Sequence, residues 1–156
     1  MRKTVSVFVV LFIFCSCKHN YTPPADFNFS LSFGYFDDQI STFDSTFITD
    51  GNRPGSKRIK VIFTKAEMQQ IYKRMIDYNY LDLPDNMGPK EHPVPWPEYY
   101  LVINTNSTKK AIHSCPNFCT NDKKIEKFDS ITNEILKILY SKKEIKDLSL
   151  NKRIAL

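Results

Sequence analysis

The chain has 156 residues, with 22 basic and 17 acidic side chains and a formal charge of +5 at pH 7. That length supports one domain, able to bury roughly two thirds of the surface of its unfolded chain without a dense disulfide scaffold. A composition of 42% hydrophobic, 25% charged and 13% aromatic residues excludes wholesale disorder, a collagen repeat and a coiled coil, and the four scattered glycines offer no phosphate-cradling loop.

Arg2 and Lys3 precede an uncharged run from Val5 to Cys17, and Lys18, His19 and Asn20 turn abruptly polar behind it. A membrane-spanning helix needs ~20 apolar residues, so this shorter run fits the core of a secretory signal. Within it, Phe14-Cys15-Ser16-Cys17 resembles the lipobox of a bacterial lipoprotein precursor. The small Ser16 precedes the candidate cysteine, while Phe14 stands where Leu is usual. The resemblance implies that residues 1–16 are removed as a signal peptide. Cys17 would carry a diacylglyceryl thioether and then an acylated amine, palmitate-type chains holding the protein at the membrane. Each buried methylene contributes ~0.8 kcal/mol, and two or more chains anchor stably where one does not. The competing reading is an ordinary signal peptide cut near Asn20, or an uncleaved anchor. By the sorting rules of such lipoproteins, Lys18 in place of Asp implies the outer membrane. The first acidic residue, Asp26, comes late enough to imply the periplasmic side.

Loss of residues 1–16 removes two basic residues and no acidic ones, leaving 20 against 17, or +3. No dense Lys/Arg block is interleaved with aromatics, so nucleic acid is not an expected partner. Residues 17–25, with Pro23-Pro24 and little that can pack, read as the lipidated cysteine and a tether.

Residues 26–150 read as a single α+β domain, followed by a tail over 151–156. From Asp26 to Phe36, Phe27, Phe29, Leu31, Phe33 and Tyr35 alternate with polar or small residues, which predicts a strand with one aromatic face inward. Phe43 to Thr49 and Arg58 to Phe63 read as the next two strands, separated by the turn residues Asp50-Gly51-Asn52 and Pro54-Gly55-Ser56. Thr64-Lys65-Ala66-Glu67 fits a capping box opening a helix to Tyr78, with Met68, Ile71, Tyr72 and Met75 at helical spacing. Residues 84–97 carry five prolines and read as irregular. Tyr99–Asn104 and Thr108–Cys115 predict a hairpin about Asn106-Ser107. A second helix follows, capped by Asn121 or Asp122, with the stripe Ile125, Phe128, Ile131, Ile135, Ile138 and Leu139. Ser141 to Glu144 repeats the capping spacing and predicts a short final turn through Leu148.

The order βββαββα predicts an antiparallel five-stranded sheet with two helices on one face. The opening Phe/Ser alternation, Leu81-Asp82-Leu83-Pro84 and Ser141-Lys142-Lys143-Glu144 resemble small uncharacterised lipoprotein domains of Gram-negative bacteria. That resemblance implies a location and a fold and carries no activity.

Three groups of residues bear on chemistry. Cys115 and Cys119 are the thiols left besides Cys17, and in an oxidising envelope they invite a disulfide across a turn at Pro116. Two free thiols are the alternative. The same spacing resembles the cysteine pair of thioredoxin-like copper chaperones. His113 shares strand parity with Cys115, so a metal or thiol site using His113, Cys115 and Cys119 is a second reading.

The prolines at 93, 95 and 97 favour extended polyproline geometry. With them, His92, Trp96 and Tyr100 form a candidate binding surface, unless Trp96 folds back as a lid over the sheet edge. Asp37-Asp38 reads as a solvated turn. The basic residues from Lys142 to Arg153 read as a solvated helix end.

No G-x-S-x-G, H-E-x-x-H or EF-hand series is present. The sequence thus leads us to expect a lipid-anchored envelope protein that is a non-enzymatic binding or assembly module. It assigns no catalytic residue, cofactor or metal, and it points to the membrane and an envelope protein as partners. The alternatives are the metal or thiol protein and a small inhibitor-type lipoprotein.

Overall fold

The computed structural model describes residues 21–34, 37–88, 97–115 and 123–154. Their elements run β1 (Asn28–Gly34), β2 (Asp38–Ser41), β3 (Thr46–Ile48), β4 (Arg58–Lys60), α1 (Lys65–Asp77), β5 (Glu98–Thr105), β6 (Thr108–Ser114), α2 (Lys123–Ser141) and α3 (Lys143–Ile154). The class is α+β, and the strands form one open antiparallel sheet in the order β4-β3-β2-β1-β5-β6.

Among the described residues two counts differ from the sequence expectation: the sheet has six strands rather than five, and there are three α-helices rather than two. The added strand is β2. Its four residues, Asp-Gln-Ile-Ser, bury only Ile40. One apolar residue gives no visible alternation, and Asp37-Asp38 beside it reads as a turn. Asp37 does turn, at φ 55°. Asp38 instead opens the strand, and its Oδ1 accepts the Asp50 N–H at 2.9 Å.

The added helix is α3, which continues to Ile154 where a turn ending at Leu148 and a tail from 151 were expected. Ser141 does not cap it. Its hydroxyl donates back to the Ile138 carbonyl of α2 at 2.7 Å, and the chain breaks for one residue before Lys143.

The predicted aromatic face is the core. Phe29, Leu31 and Phe33 of β1 are buried with Ile40, Phe47, Leu101, Ile103 and Ile112 from the neighbouring strands. Ile71 and Met75 of α1, and Phe128, Ile131, Ile135 and Leu139 of α2, complete that cluster, so the helices cover one face of the sheet. The other face carries Ser30, Ser32, Gln39, Tyr100, Val102 and His113, all partly or largely exposed.

Helix α1 opens on the predicted capping box: the Glu67 N–H donates to Thr64 Oγ1 at 3.3 Å, and the Thr64 N–H donates to Glu67 Oε2 at 2.7 Å. Asn79 stops it in the left-handed region, at φ 50°.

Two contacts set the ends of the molecule. Asp26 caps the β5–β6 turn, accepting the Asn106 N–H at 3.0 Å and the Ser107 N–H at 2.7 Å. Tyr21, the first described residue, lies on α1. Lys73 Nζ sits 4.7 Å from the Tyr21 ring centroid. Pro23 and Pro24 line a groove with Phe63 and Met68.

Candidate functional site

The β5–β6 hairpin turns at Asn106 and Ser107, both with positive φ as a tight two-residue turn requires. That turn fixes the register of everything behind it: Thr105 faces Thr108, Tyr100 faces His113 and Tyr99 faces Ser114. One step further out, Glu98 and Cys115 stand at facing positions. Parity puts Glu98, Tyr100, His113 and Cys115 on the face away from the helices.

A segment from before the proline stretch closes over this corner. The His113 N–H donates to the Asp85 carbonyl at 2.8 Å, and the Met87 N–H donates to the His113 carbonyl at 2.9 Å. Asn86 thereby pairs with His113 as a parallel bridge on the outer edge of β6. This shields part of an edge that would otherwise offer free backbone groups. Lys110 Nζ, at 2.5 Å from Asp85 Oδ1, pins the same segment.

Glu98, His113 and Cys115 offer three ligand atoms that all lie within 4.8 Å of one another. His113 Nε2 is 3.2 Å from Glu98 Oε2, and His113 Nδ1 is 3.2 Å from Asn86 Oδ1. The same Asn86 oxygen accepts the Gly88 N–H at 2.9 Å, which fixes it as an acceptor toward the ring. A Cβ at Gly88 would stand 3.4 Å from both Cys115 Cβ and His113 Cε1, so the backbone roofs the site closely at that point.

The His113 side chain is 24% exposed and that of Glu98 42%, while Cys115 is buried. The two imidazole nitrogens face Asn86 Oδ1 and Glu98 Oε2, each at 3.2 Å, so neither is aimed at the Cys115 thiol as a general base. The burial of that thiol also argues against a nucleophile for a bulky substrate.

Of the residues singled out from sequence, the structure brings together His113 and Cys115 and sets Tyr100 beside them, 47% exposed. Cys17, His92, Trp96 and Cys119 lie outside the described residues, as do the proposed capping residues Asn121 and Asp122. The expected Cys115–Cys119 bridge is therefore not placed. Glu98, Asn86 and Gly88 were missed by the sequence reading. Glu98 was within reach of it, because a two-residue turn at Asn106-Ser107 puts position 98 opposite position 115. Asn86 and Gly88 had no local signal, since a parallel bridge from a loop leaves none.

No protein-family model matches the chain, and no curated protein matches it.

Proposed function

We propose that this chain is a lipid-anchored cell-envelope protein, held through Cys17 at the outer membrane on its periplasmic side, and that its α+β domain is a non-enzymatic binding module. The working surface in this reading is the outer face of the β5–β6 hairpin around Tyr100, His113 and Glu98. The observation that carries it is the convergence of Glu98, His113 and Cys115 beside the exposed Tyr100, at the end of the sheet opposite the one where the chain enters from its anchor.

Register supports that separation of ends. Asn28 pairs with Asn104 where the chain enters, and Gly34 pairs with Glu98 at the far end. An anchor at one end and a converged polar cluster at the other suit a protein that presents a site away from the bilayer.

Two measurements test the two halves. Intact mass and membrane fractionation should show lipid on the wild-type chain and loss of both lipid and membrane retention in Cys17→Ser. An unmodified, soluble wild-type chain would refute the anchor. For the module, crosslinking capture from native membranes should recover a specific partner with the wild type and lose it in Tyr100→Ala. Equal capture by both would move the working surface elsewhere.

A further inference from the structure

We propose that Glu98, His113 and Cys115 form a three-ligand site for a divalent transition-metal ion of the zinc class, with Asn86 as a positioning residue. This deepens the reading of that face as the working surface and needs nothing of the lipid anchor.

The argument starts from the hydrogen bonds of His113. Asn86 Oδ1 accepts the Gly88 N–H at 2.9 Å and lies 3.2 Å from Nδ1, where it can accept from the Nδ1–H tautomer. A neutral imidazole with its hydrogen on Nδ1 presents a lone pair at Nε2. In that tautomer the Nε2 lone pair faces a carboxylate oxygen of Glu98 at 3.2 Å, a spacing that a shared cation would bridge.

The separation suits a cation. Two donor bonds of about 2.1 Å at a tetrahedral angle span ~3.4 Å, close to the separation found. Cys115 supplies the third donor, its sulfur within 4.8 Å of a ligand atom of each of the other two residues. Closing to a zinc–sulfur bond of about 2.3 Å needs a movement of about 1 Å, within reach of a side-chain adjustment at the end of β6.

The donor set chooses the ion class. One thiolate, one imidazole and one carboxylate do not suit calcium or magnesium, which take oxygen ligands. They suit zinc and its first-row neighbours. Asn86 plays the part of an outer partner that fixes the tautomer and orientation of a ligating histidine. Three protein ligands leave a fourth position open, and Glu98 and His113 are both partly exposed to solvent.

The test is titration of the full mature chain, in detergent and under a phosphine reductant, with Co(II) as the probe. The expected result is stoichiometric binding with a sulfur-to-cobalt charge-transfer band, displaced by Zn(II). The band should vanish in Cys115→Ser and persist in Cys119→Ser. Glu98→Gln and His113→Gln should weaken binding at least tenfold with unchanged circular dichroism, which covers the case in which Cys115→Ser does not fold. Asn86→Ala should weaken binding about 10- to 100-fold, and Asn86→Asp should restore most of it.

The absence of a charge-transfer band in the wild type overturns the proposal, as does a band that survives Cys115→Ser. An affinity indifferent to both Glu98→Gln and His113→Gln overturns it too. Tyr100→Ala leaves the three ligands alone and should not change cobalt affinity, so failure of the metal site and failure of the working-surface reading are told apart.

Discussion

At the scale of single residues, two buried or capping groups set opposite responses to acid. Asp26 accepts the Ser107 and Asn106 N–H groups, and these bonds hold its carboxyl below the ordinary value. Its contribution to stability is therefore present above the ordinary aspartate range and is lost as pH falls through the lowered folded value. Asp129 is the reverse case: burial pushes its carboxyl up, so ionisation opposes folding at neutral pH and that penalty is relieved as pH falls. Asp26→Asn should thus flatten the acid side of a stability-against-pH curve measured by denaturant unfolding. Asp129→Asn should raise stability at pH 7 and leave the acid side alone. Ser114 gives a third case. Its hydroxyl is fully buried and has no hydrogen-bond partner among the described residues. Ser114→Ala keeps the packing and removes the desolvated oxygen, so it should raise the unfolding free energy by about 1 kcal/mol in the same assay. These effects show where residue-level reading from sequence succeeds and stops. His113 and Cys115 were visible as neighbours because strand parity is a local property. Glu98 needed the hairpin register, and Asn86 needed a contact made by backbone amides across 27 positions, which no pattern of side chains encodes.

At the scale of elements, the two long helices are joined by polar contacts as well as apolar ones. Glu134 on α2 is buried, and its carboxylate accepts from Gln70 and from Arg74 Nη2, the latter at 3.2 Å, both on α1. Removing the charged donor leaves a buried carboxylate with one amide partner. Arg74→Ala should therefore cost about 2 kcal/mol, the scale of a hydrogen bond to a charged group, discounted for the 39% exposure of the arginine. Thr64→Ala removes half of the capping box and should cost about 1 kcal/mol. Both are read as shifts in the urea midpoint at unchanged slope. The capping box was legible because its spacing is short and its chemistry reciprocal. The inter-helix clasp was not, because Gln70, Arg74 and Glu134 look like ordinary surface residues of two amphipathic helices until the helices are packed. The strand β2 was illegible for a related reason. It is stabilised by pairing on both sides, Leu31 with Ile40 and Ile40 with Phe47, rather than by any alternation of its own.

At the scale of the whole molecule, the end at which the chain enters carries exposed apolar side chains. Phe43 in the β2–β3 turn is 52% exposed and Ile62 after β4 is 58% exposed. The two segments that carry them are bonded, the Val61 N–H donating to the Ser45 carbonyl at 2.9 Å. Beside them runs the groove lined by Pro23, Pro24, Phe63 and Met68, and Lys60, Lys65 and Lys109 are exposed at this end, as is Asp44 next to Phe43. In the lipid-anchored reading, the four steps from Cys17 to Tyr21 span at most about 14 Å. The domain is then held within that distance of the bilayer, with this end leading. Exposed apolar side chains with lysines at the same end are suited to the boundary between acyl chains and anionic head groups. The prediction concerns orientation. In the lipidated chain reconstituted into vesicles with brominated acyl chains, the natural Trp96 is first replaced by Phe. A tryptophan at Phe43→Trp should then be quenched strongly, and one at Tyr100→Trp should not. Equal quenching at both positions would mean that the domain tumbles freely on its tether. Quenching at position 100 alone would invert it and put the Glu98–His113–Cys115 corner against the membrane, where neither a soluble partner nor a metal ion could reach it from the periplasm.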